Sequence, residues 1–176
     1  MSHMRPSYSA VCLLAALATL AGCTRSLDER GVREFIDRAD EAARKRYAPE
    51  ICELRAENFV LKLEYQSLDP RAEPARSQMN RKLYCREAGK FSRLRQYRLV
   101  RKSLAIDLAQ DRKTARAIAE YEQTLPYYTD TYMPATPDDF RHFVVIESRD
   151  ESVIGIEGGD VVFLSAEVQA EEVELL

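Results

Sequence analysis

Tryptophan is absent from this sequence of 176 residues, and histidine is nearly so, with only His3 and His142. Cysteine occurs four times, and no spacing among these residues matches a zinc-binding pattern. A metal centre built from cysteine and histidine is therefore not expected, and the sequence predicts no cofactor. No apolar run reaches the length of about 20 residues that crosses a bilayer as a helix, so no transmembrane helix is predicted.

The longest apolar run lies near the N-terminus, between Val11 and Ala21. It follows Arg5, and no acidic residue precedes it, a pattern typical of the hydrophobic region of a secretory signal peptide. A buried core helix is the alternative, but such a helix would carry an apolar stripe rather than apolar residues on all sides.

This run ends in Leu20-Ala21-Gly22-Cys23, which resembles the lipobox of bacterial lipoproteins. The resemblance implies cleavage before Cys23, a diacylglyceryl thioether on its sulfur and an acylated amine. Because two or more membrane signals hold a protein stably, Cys23 would then attach the chain to a lipid bilayer. Thr24 follows the cysteine where an aspartate would signal retention, which implies the outer membrane facing the periplasm of a bacterial cell envelope.

The rest of the chain has the composition of a folded domain. Hydrophobic residues make up 45% of the sequence, and 29 acidic residues nearly balance 26 basic ones. This composition excludes disorder and allows one domain with its own core. The predicted organisation is a signal peptide over 1–22, a lipidated tether over 23–26, a single α+β domain over 27–170 and an acidic C-terminal end over 171–176.

Two cysteines remain for the domain once Cys23 carries lipid, namely Cys52 and Cys85. In an exported protein such a pair is expected to form a disulfide, and two buried thiols are the alternative. The bridge would close a loop of about 33 residues and stabilise the domain by about 3–4 kcal/mol in the chain-entropy description.

Apolar periodicity predicts helices early in the chain and strands late. The first helix carries one apolar face and a capping box formed by Ser26 and Glu29. The polar stretch 148–152 predicts a bulge or a turn, and Glu157-Gly158-Gly159-Asp160 predicts a hairpin turn. The predicted helices are 26–45, a short one near Pro49, and 75–88 with Gly89 as its C-cap; the predicted strands are 59–66, 97–108, 114–124, 140–156 and 161–168.

This order resembles the nuclear transport factor 2-like superfamily, which includes SnoaL-like proteins. The resemblance rests on the helix ending at Arg44-Lys45-Arg46-Tyr47, the strand 57–63, the helix before Gly89 and the strands that begin at Tyr97, Thr114, Phe140 and Val161. It implies an α+β fold in which N-terminal helices pack on a curved antiparallel sheet, cone-like and cystatin-like. It also implies a cavity at the wide end and frequent homodimers, but no catalytic residue carries over.

Three kinds of side chain are candidates for chemistry. His142 is either a general base or an ordinary strand residue. Tyr65, Tyr97 and Tyr121 lie on strands and either line a cone pocket or belong to the core. The strand acids Glu64, Asp107 and Glu120 face solvent or, if they turn inward, become catalytic candidates with a raised pKa.

Charge is distributed unevenly along the chain. Residues 81–102 are strongly basic, with Glu87 as the only acid, and residues 138–176 are strongly acidic. A basic surface facing anionic lipid or an envelope polymer is one interpretation. Neighbouring solvated faces that offset each other across strands are the preferred one. Nucleic-acid binding is not predicted, since no nucleic-acid motif is present.

The predicted function is that of a membrane-anchored lipoprotein whose non-catalytic domain binds a small-molecule ligand or an envelope protein. The alternative is a small hydrolase, isomerase or dehydratase that uses a carboxylate and a tyrosine in the cone pocket. A deep pocket with an inward carboxylate of raised pKa near a tyrosine hydroxyl would favour the enzyme. A filled cone and a flat apolar patch would favour the binding module.

Overall fold

The computed structural model describes residues 26–69, 71–94, 96–126 and 143–175. Within these ranges the chain forms three helices and six strands. Cys23 and His142 lie outside the described residues. The helices are α1 (Glu29–Lys45), α2 (Ala48–Glu53) and α3 (Arg81–Phe91), and the strands are β1 (Arg55–Gln66), β2 (Ala75–Asn80), β3 (Arg98–Leu108), β4 (Thr114–Pro126), β5 (Phe143–Glu157) and β6 (Asp160–Leu175).

The six strands form one sheet in the order β2-β1-β6-β5-β4-β3. Neighbouring strands are antiparallel except β1 and β6, which pair in parallel. The α+β class with helices packed on a curved sheet is therefore confirmed, but the sheet is mixed rather than wholly antiparallel. Strand β6, the last in the chain, lies between β1 and β5 and so joins the β1–β2 pair to the β3–β4–β5 meander.

Helix α1 begins later than predicted. Asp28 is its N-cap and accepts a hydrogen bond from the Gly31 backbone N–H at 2.6 Å, so the predicted cap at Ser26 is wrong. The reason is tertiary, since Leu27 is buried and its backbone N–H bonds to the carbonyl of Arg112 at 2.7 Å. The predicted apolar face does pack inward, with Val32 fully buried.

The predicted helix over 75–88 is wrong in its first half. Residues 75–80 form β2, an edge strand on β1, and α3 starts only at Arg81. Asn80 caps α3 by accepting a hydrogen bond from the Leu83 backbone N–H at 2.9 Å. Gly89 lies inside this helix, and Ser92 is the C-cap. Because β2 is exposed along almost its whole length, it carries no alternating pattern that would reveal a strand.

Strand β5 crosses the stretch 148–152 without a turn, and its register shifts lie on either side of that stretch. The predicted hairpin is confirmed, since Gly158 and Gly159 both have positive φ, which glycine adopts without strain. Strand β6 then runs to Leu175, so the acidic end predicted to fray continues the sheet, with Glu171 paired to Glu147 of β5.

A single buried cluster joins α1, α2 and α3 to one face of the sheet, which we call the concave face. Cys52 of α2 and Cys85 of α3 form a disulfide, with Cα atoms 5.5 Å apart. This bridge holds the two shorter helices together over the sheet. Among the described residues, no helix is both long enough and apolar enough to cross a membrane.

Candidate functional site

A cavity of about 450 Å³ lies between the three helices and the concave face. Its floor includes Ala117 and Ala119 of β4 and Ala166 of β6. These short side chains leave unfilled space above the sheet, where larger residues would complete the core. The apolar roof comes from Ile36 of α1 and Phe91 of α3. The volume and the mainly apolar lining are those of a small-molecule site.

Asp150 of β5 projects into this cavity. It is the strand partner of Ala119 and shares the concave face with Ser148 and Ser152. The Ser148 hydroxyl donates to its carboxylate at 2.8 Å, and no ion pair joins Asp150 to any described residue. Burial raises the pKa of Asp150 to about 6, and the negative charge of Asp40 adds to the rise. Asp150 is thus a carboxyl that titrates close to neutral pH.

Asp40 of α1 lies at one side of the same cavity and is only 4% exposed. The Tyr121 hydroxyl donates to one of its oxygens at 2.9 Å, and Arg101 donates to the other at 2.7 Å. Burial raises the pKa of Asp40, while the hydrogen bond from Tyr121 and the charge of Arg101 oppose this rise. Asp40 is therefore held by two hydrogen bonds and by an ion pair with Arg44 at 3.8 Å, in contrast to Asp150.

The three predicted pocket tyrosines occupy different places. Tyr97 and Tyr121 line the cavity, whereas Tyr65 lies apart from it and its hydroxyl donates to Glu172. The Tyr97 hydroxyl donates to Gln123 Oε1 at 3.2 Å. Burial raises the pKa of Tyr97, and burial together with Asp40 raises that of Tyr121. Both tyrosines therefore keep their protons at neutral pH.

Arg55, the first residue of β1, brings a cation to the cavity wall. Its guanidinium carbon lies 4.3 Å from the ring centre of Phe163 and 4.9 Å from that of Tyr84. One terminal nitrogen donates to the Tyr84 hydroxyl at 2.9 Å and the other to the Ile51 carbonyl at 3.2 Å. Its Nε is buried, and no residue in the described part of the chain accepts a hydrogen bond from it. No carboxylate among the described residues forms an ion pair with Arg55.

The remaining candidates lie away from the cavity. Asp107 and Glu120 are exposed, Glu64 forms an ion pair with Arg76 at 3.1 Å, and all three belong to the outer face of the sheet. The basic stretch 81–102 does not form one surface. Arg101 turns inward to Asp40, and Lys102 pairs across the strands with Glu122 at 2.5 Å. Glu122 lies outside the acidic stretch 138–176, and none of the described ion pairs joins that stretch to 81–102, so the interpretation of offsetting charges stays a prediction.

Three charged residues of the cavity, Asp40, Asp150 and Arg55, are not among the site residues predicted from the sequence. Asp40 stands four residues after Ile36 and three before Ala43, so it falls on the apolar stripe of α1 rather than outside it. Asp150 has the strand parity of Ser148 and Ile154, both of which are buried. A charged residue at an inward position was the available signal in both cases. Arg55 gives no such signal, because its place follows from tertiary packing.

Comparisons with known proteins bear on the fold. No protein-family model matches the sequence, and no curated protein matches it at a significant level. Solved structures, in contrast, do match this chain in fold. A provisionally assigned scytalone dehydratase from Novosphingobium aromaticivorans has a TM-score of 0.58 at 12% identity and covers 84% of this chain and 85% of its own.

Two further structures have similar scores. A protein of unknown function from Pseudomonas putida, described as nuclear transport factor 2-like, has a TM-score of 0.55 at 15% identity, with 80% of this chain and 84% of its own covered. A type 3 hexachlorocyclohexane dehydrochlorinase from Novosphingobium barchaimii has a TM-score of 0.53 at 8% identity, with 96% and 93% covered.

Identities this low establish architecture and leave activity open. The shared feature is the packing of helices on a curved sheet. The chain therefore has the nuclear transport factor 2-like, cystatin-like cone fold.

Proposed function

We propose that the cavity binds a small, largely apolar molecule and that Asp150 transfers a proton to or from it, as in an isomerase or a dehydratase-type lyase. The observation that carries this proposal is the Asp150 carboxyl, which faces the cavity, has no ion-pair partner among the described residues and has a pKa of about 6. A carboxylate held in mainly apolar surroundings without a direct ion-pair partner is costly to folding, and such groups concentrate at functional sites.

The environment suits general acid–base catalysis. A base works best when its pKa lies near the operating pH, and at about pH 7 most of Asp150 is ionised. Tyr97 and Tyr121 donate hydrogen bonds to Gln123 and Asp40, so their hydroxyl oxygens remain available to accept a hydrogen bond from the ligand. Two similar structures bear the names of a dehydratase and a dehydrochlorinase, which denote loss of water and of HCl, and this supports the choice of class.

A generic substrate tests the base without knowledge of the natural one. 5-Nitrobenzisoxazole is small and apolar, and when a carboxylate removes its C3 proton the N–O bond breaks to give a coloured cyanophenolate. We expect the protein to accelerate this reaction, with a rate that rises as pH increases through about 6. Asp150→Asn should lower the rate at least about a hundredfold, the usual range for loss of a general base.

Asp107→Asn is the matched control, since Asp107 is an exposed strand acid remote from the cavity. It should leave the rate unchanged. Equal rates for the wild type and Asp150→Asn would contradict the proton-transfer proposal and favour the non-catalytic binding domain. Fluorescence of N-phenyl-1-naphthylamine, which increases in an apolar cavity, then measures binding independently of turnover.

We also propose that Cys23 anchors this domain to a membrane in the bacterial envelope, most naturally the outer membrane facing the periplasm. The support is the sequence Leu20-Ala21-Gly22-Cys23 behind an apolar run. Helix α1 begins at Glu29, so few residues separate the lipid from the domain. Cys23→Ala should leave the protein unprocessed or release it to the soluble fraction, and unchanged processing with membrane partition would contradict the anchor.

A further inference from the structure

Arg55 is a cation in the wall of the cavity that forms no ion pair with a described carboxylate. Its guanidinium lies against the faces of three aromatic rings, and its charge acts on Asp150 only across the cavity. Buried charges in proteins are normally paired, and an unpaired one is a candidate to meet its countercharge on a ligand. Its Nε is buried, and no described residue accepts a hydrogen bond from it.

We propose that the ligand of the cavity is a carboxylic acid with an apolar body and that its carboxylate pairs with Arg55. This inference rests on the proposed function, because it assigns the chemical class of the molecule bound beside Asp150. A guanidinium presents a planar set of N–H donors that matches the two oxygens of a carboxylate. A carboxylate brings one negative charge to the guanidinium, whereas a phosphate dianion would bring a second one into a cavity that already holds Asp150, which favours a monoanion.

The rings of Phe59, Tyr84 and Phe163 hold the guanidinium in place. Their centres lie 5.4, 4.9 and 4.3 Å from its central carbon. Two further hydrogen bonds, to the Tyr84 hydroxyl and the Ile51 carbonyl, leave other N–H groups free for a ligand. Such a preorganised cation loses little side-chain entropy on binding.

In this arrangement Arg55 binds the carboxylate end of the ligand, and Asp150 faces its apolar body. Both line one cavity, one on β1 and the other on β5, and the charge of Arg55 is felt at the Asp150 carboxyl. A carboxylate held by Arg55 would place the apolar body over the alanine floor and turn a C–H or C–O bond of that body toward Asp150. Orientation by a fixed charge is a common way to bring a reacting bond to a base.

The test uses a matched pair of probes that differ in charge alone. 6-Phenylhexanoate and 6-phenylhexanamide have nearly the same shape, and each would displace N-phenyl-1-naphthylamine from the full-chain protein at about neutral pH. We expect the wild type to bind the acid at least about tenfold more tightly than the amide, the effect of one charge-assisted contact. Arg55→Gln should abolish this preference and leave the affinity for the amide within about twofold.

Arg30→Met is the control for net charge, because Arg30 lies on the exposed side of α1 in an ion pair with Glu34. It should keep the preference for the acid. Equal affinities for acid and amide in the wild type would overturn the inference even if no Arg55 variant folds, and so would a preference that survives Arg55→Gln. If both compounds displace the dye equally, the carboxylate assignment fails and the cavity still binds small molecules; if the dye itself does not bind, the proposed function fails as well.

Discussion

The replacement Asp150→Asn should stabilise the protein, and increasingly so as the pH rises. The wild-type carboxyl must ionise in apolar surroundings, whereas asparagine has nearly the same shape and never ionises. In the wild type the Ser148 hydroxyl donates to Asp150 at 2.8 Å, and the side-chain oxygen of asparagine can still accept this hydrogen bond. The substitution therefore removes the cost of a buried charge without creating a cavity.

The size of this effect follows from the pKa of Asp150. Burial raises it from 3.8 to about 6, and each pKa unit corresponds to about 1.4 kcal/mol. Because the folded value lies above the unfolded one, the folded state holds the proton more tightly. Its stability is greatest below about pH 4 and falls as the pH rises through about 6. Between about pH 4 and pH 8, the wild type should lose about 2–3 kcal/mol relative to Asp150→Asn.

Urea unfolding followed by far-ultraviolet circular dichroism measures this difference at constant ionic strength. Asp40 is present in both proteins, so its own titration largely cancels in the comparison. Asp107→Asn should track the wild type within about 0.5 kcal/mol at every pH, as expected for a surface change. If the difference in free energy of unfolding between wild type and Asp150→Asn stays constant from acid to alkaline pH, the pKa of Asp150 is not raised by folding.

Three further outcomes follow from the same contacts. Arg101→Met removes the cation that hydrogen-bonds to the buried Asp40 and leaves only Arg44, at 3.8 Å, in an ion pair with it, so it should cost about 2 kcal/mol in urea unfolding. Asp40→Asn should restore part of this loss in the double variant, and equal losses in the single and double variants would contradict it. Cys52 and Cys85 are 33 residues apart, and removal of their disulfide should lower the free energy of unfolding by about 3–4 kcal/mol. A thiol assay that finds both cysteines free in the native protein would exclude the disulfide. Ala119→Leu should fill part of the cavity and weaken N-phenyl-1-naphthylamine binding at least about tenfold while the fold persists by circular dichroism, and unchanged binding would place the dye elsewhere.

The elements with a clear local pattern were predictable from the sequence. The apolar face of α1 follows from the spacing of Val32 and Ile36, and the inward face of β4 follows from the alternation of its alanines. The turn at Gly158 and Gly159 could be predicted because it requires positive φ, which glycine adopts readily. In each case the pattern that identifies the element lies within a few residues along the chain.

The features that were missed depend on distant parts of the chain. Strand β2 exists because its backbone pairs with β1, and its exposed side chains leave no trace of this. The parallel pairing of β1 with β6 joins segments about a hundred residues apart, for which no local rule exists. Asp40 and Asp150 could have been assigned inward by periodicity, but charged residues are expected outside, and only the cavity explains their position.

Direct titration of the Asp150 side chain tests the central claim most closely. In protein labelled with ¹³C at the aspartate carboxyl carbons, the Asp150 signal is the one absent from the spectrum of Asp150→Asn, and its shift against pH gives the pKa. We expect the Asp150 titration to have a midpoint of about pH 6, which moves when a ligand fills the cavity. A midpoint near the ordinary 3.8, unmoved by ligand, would contradict it.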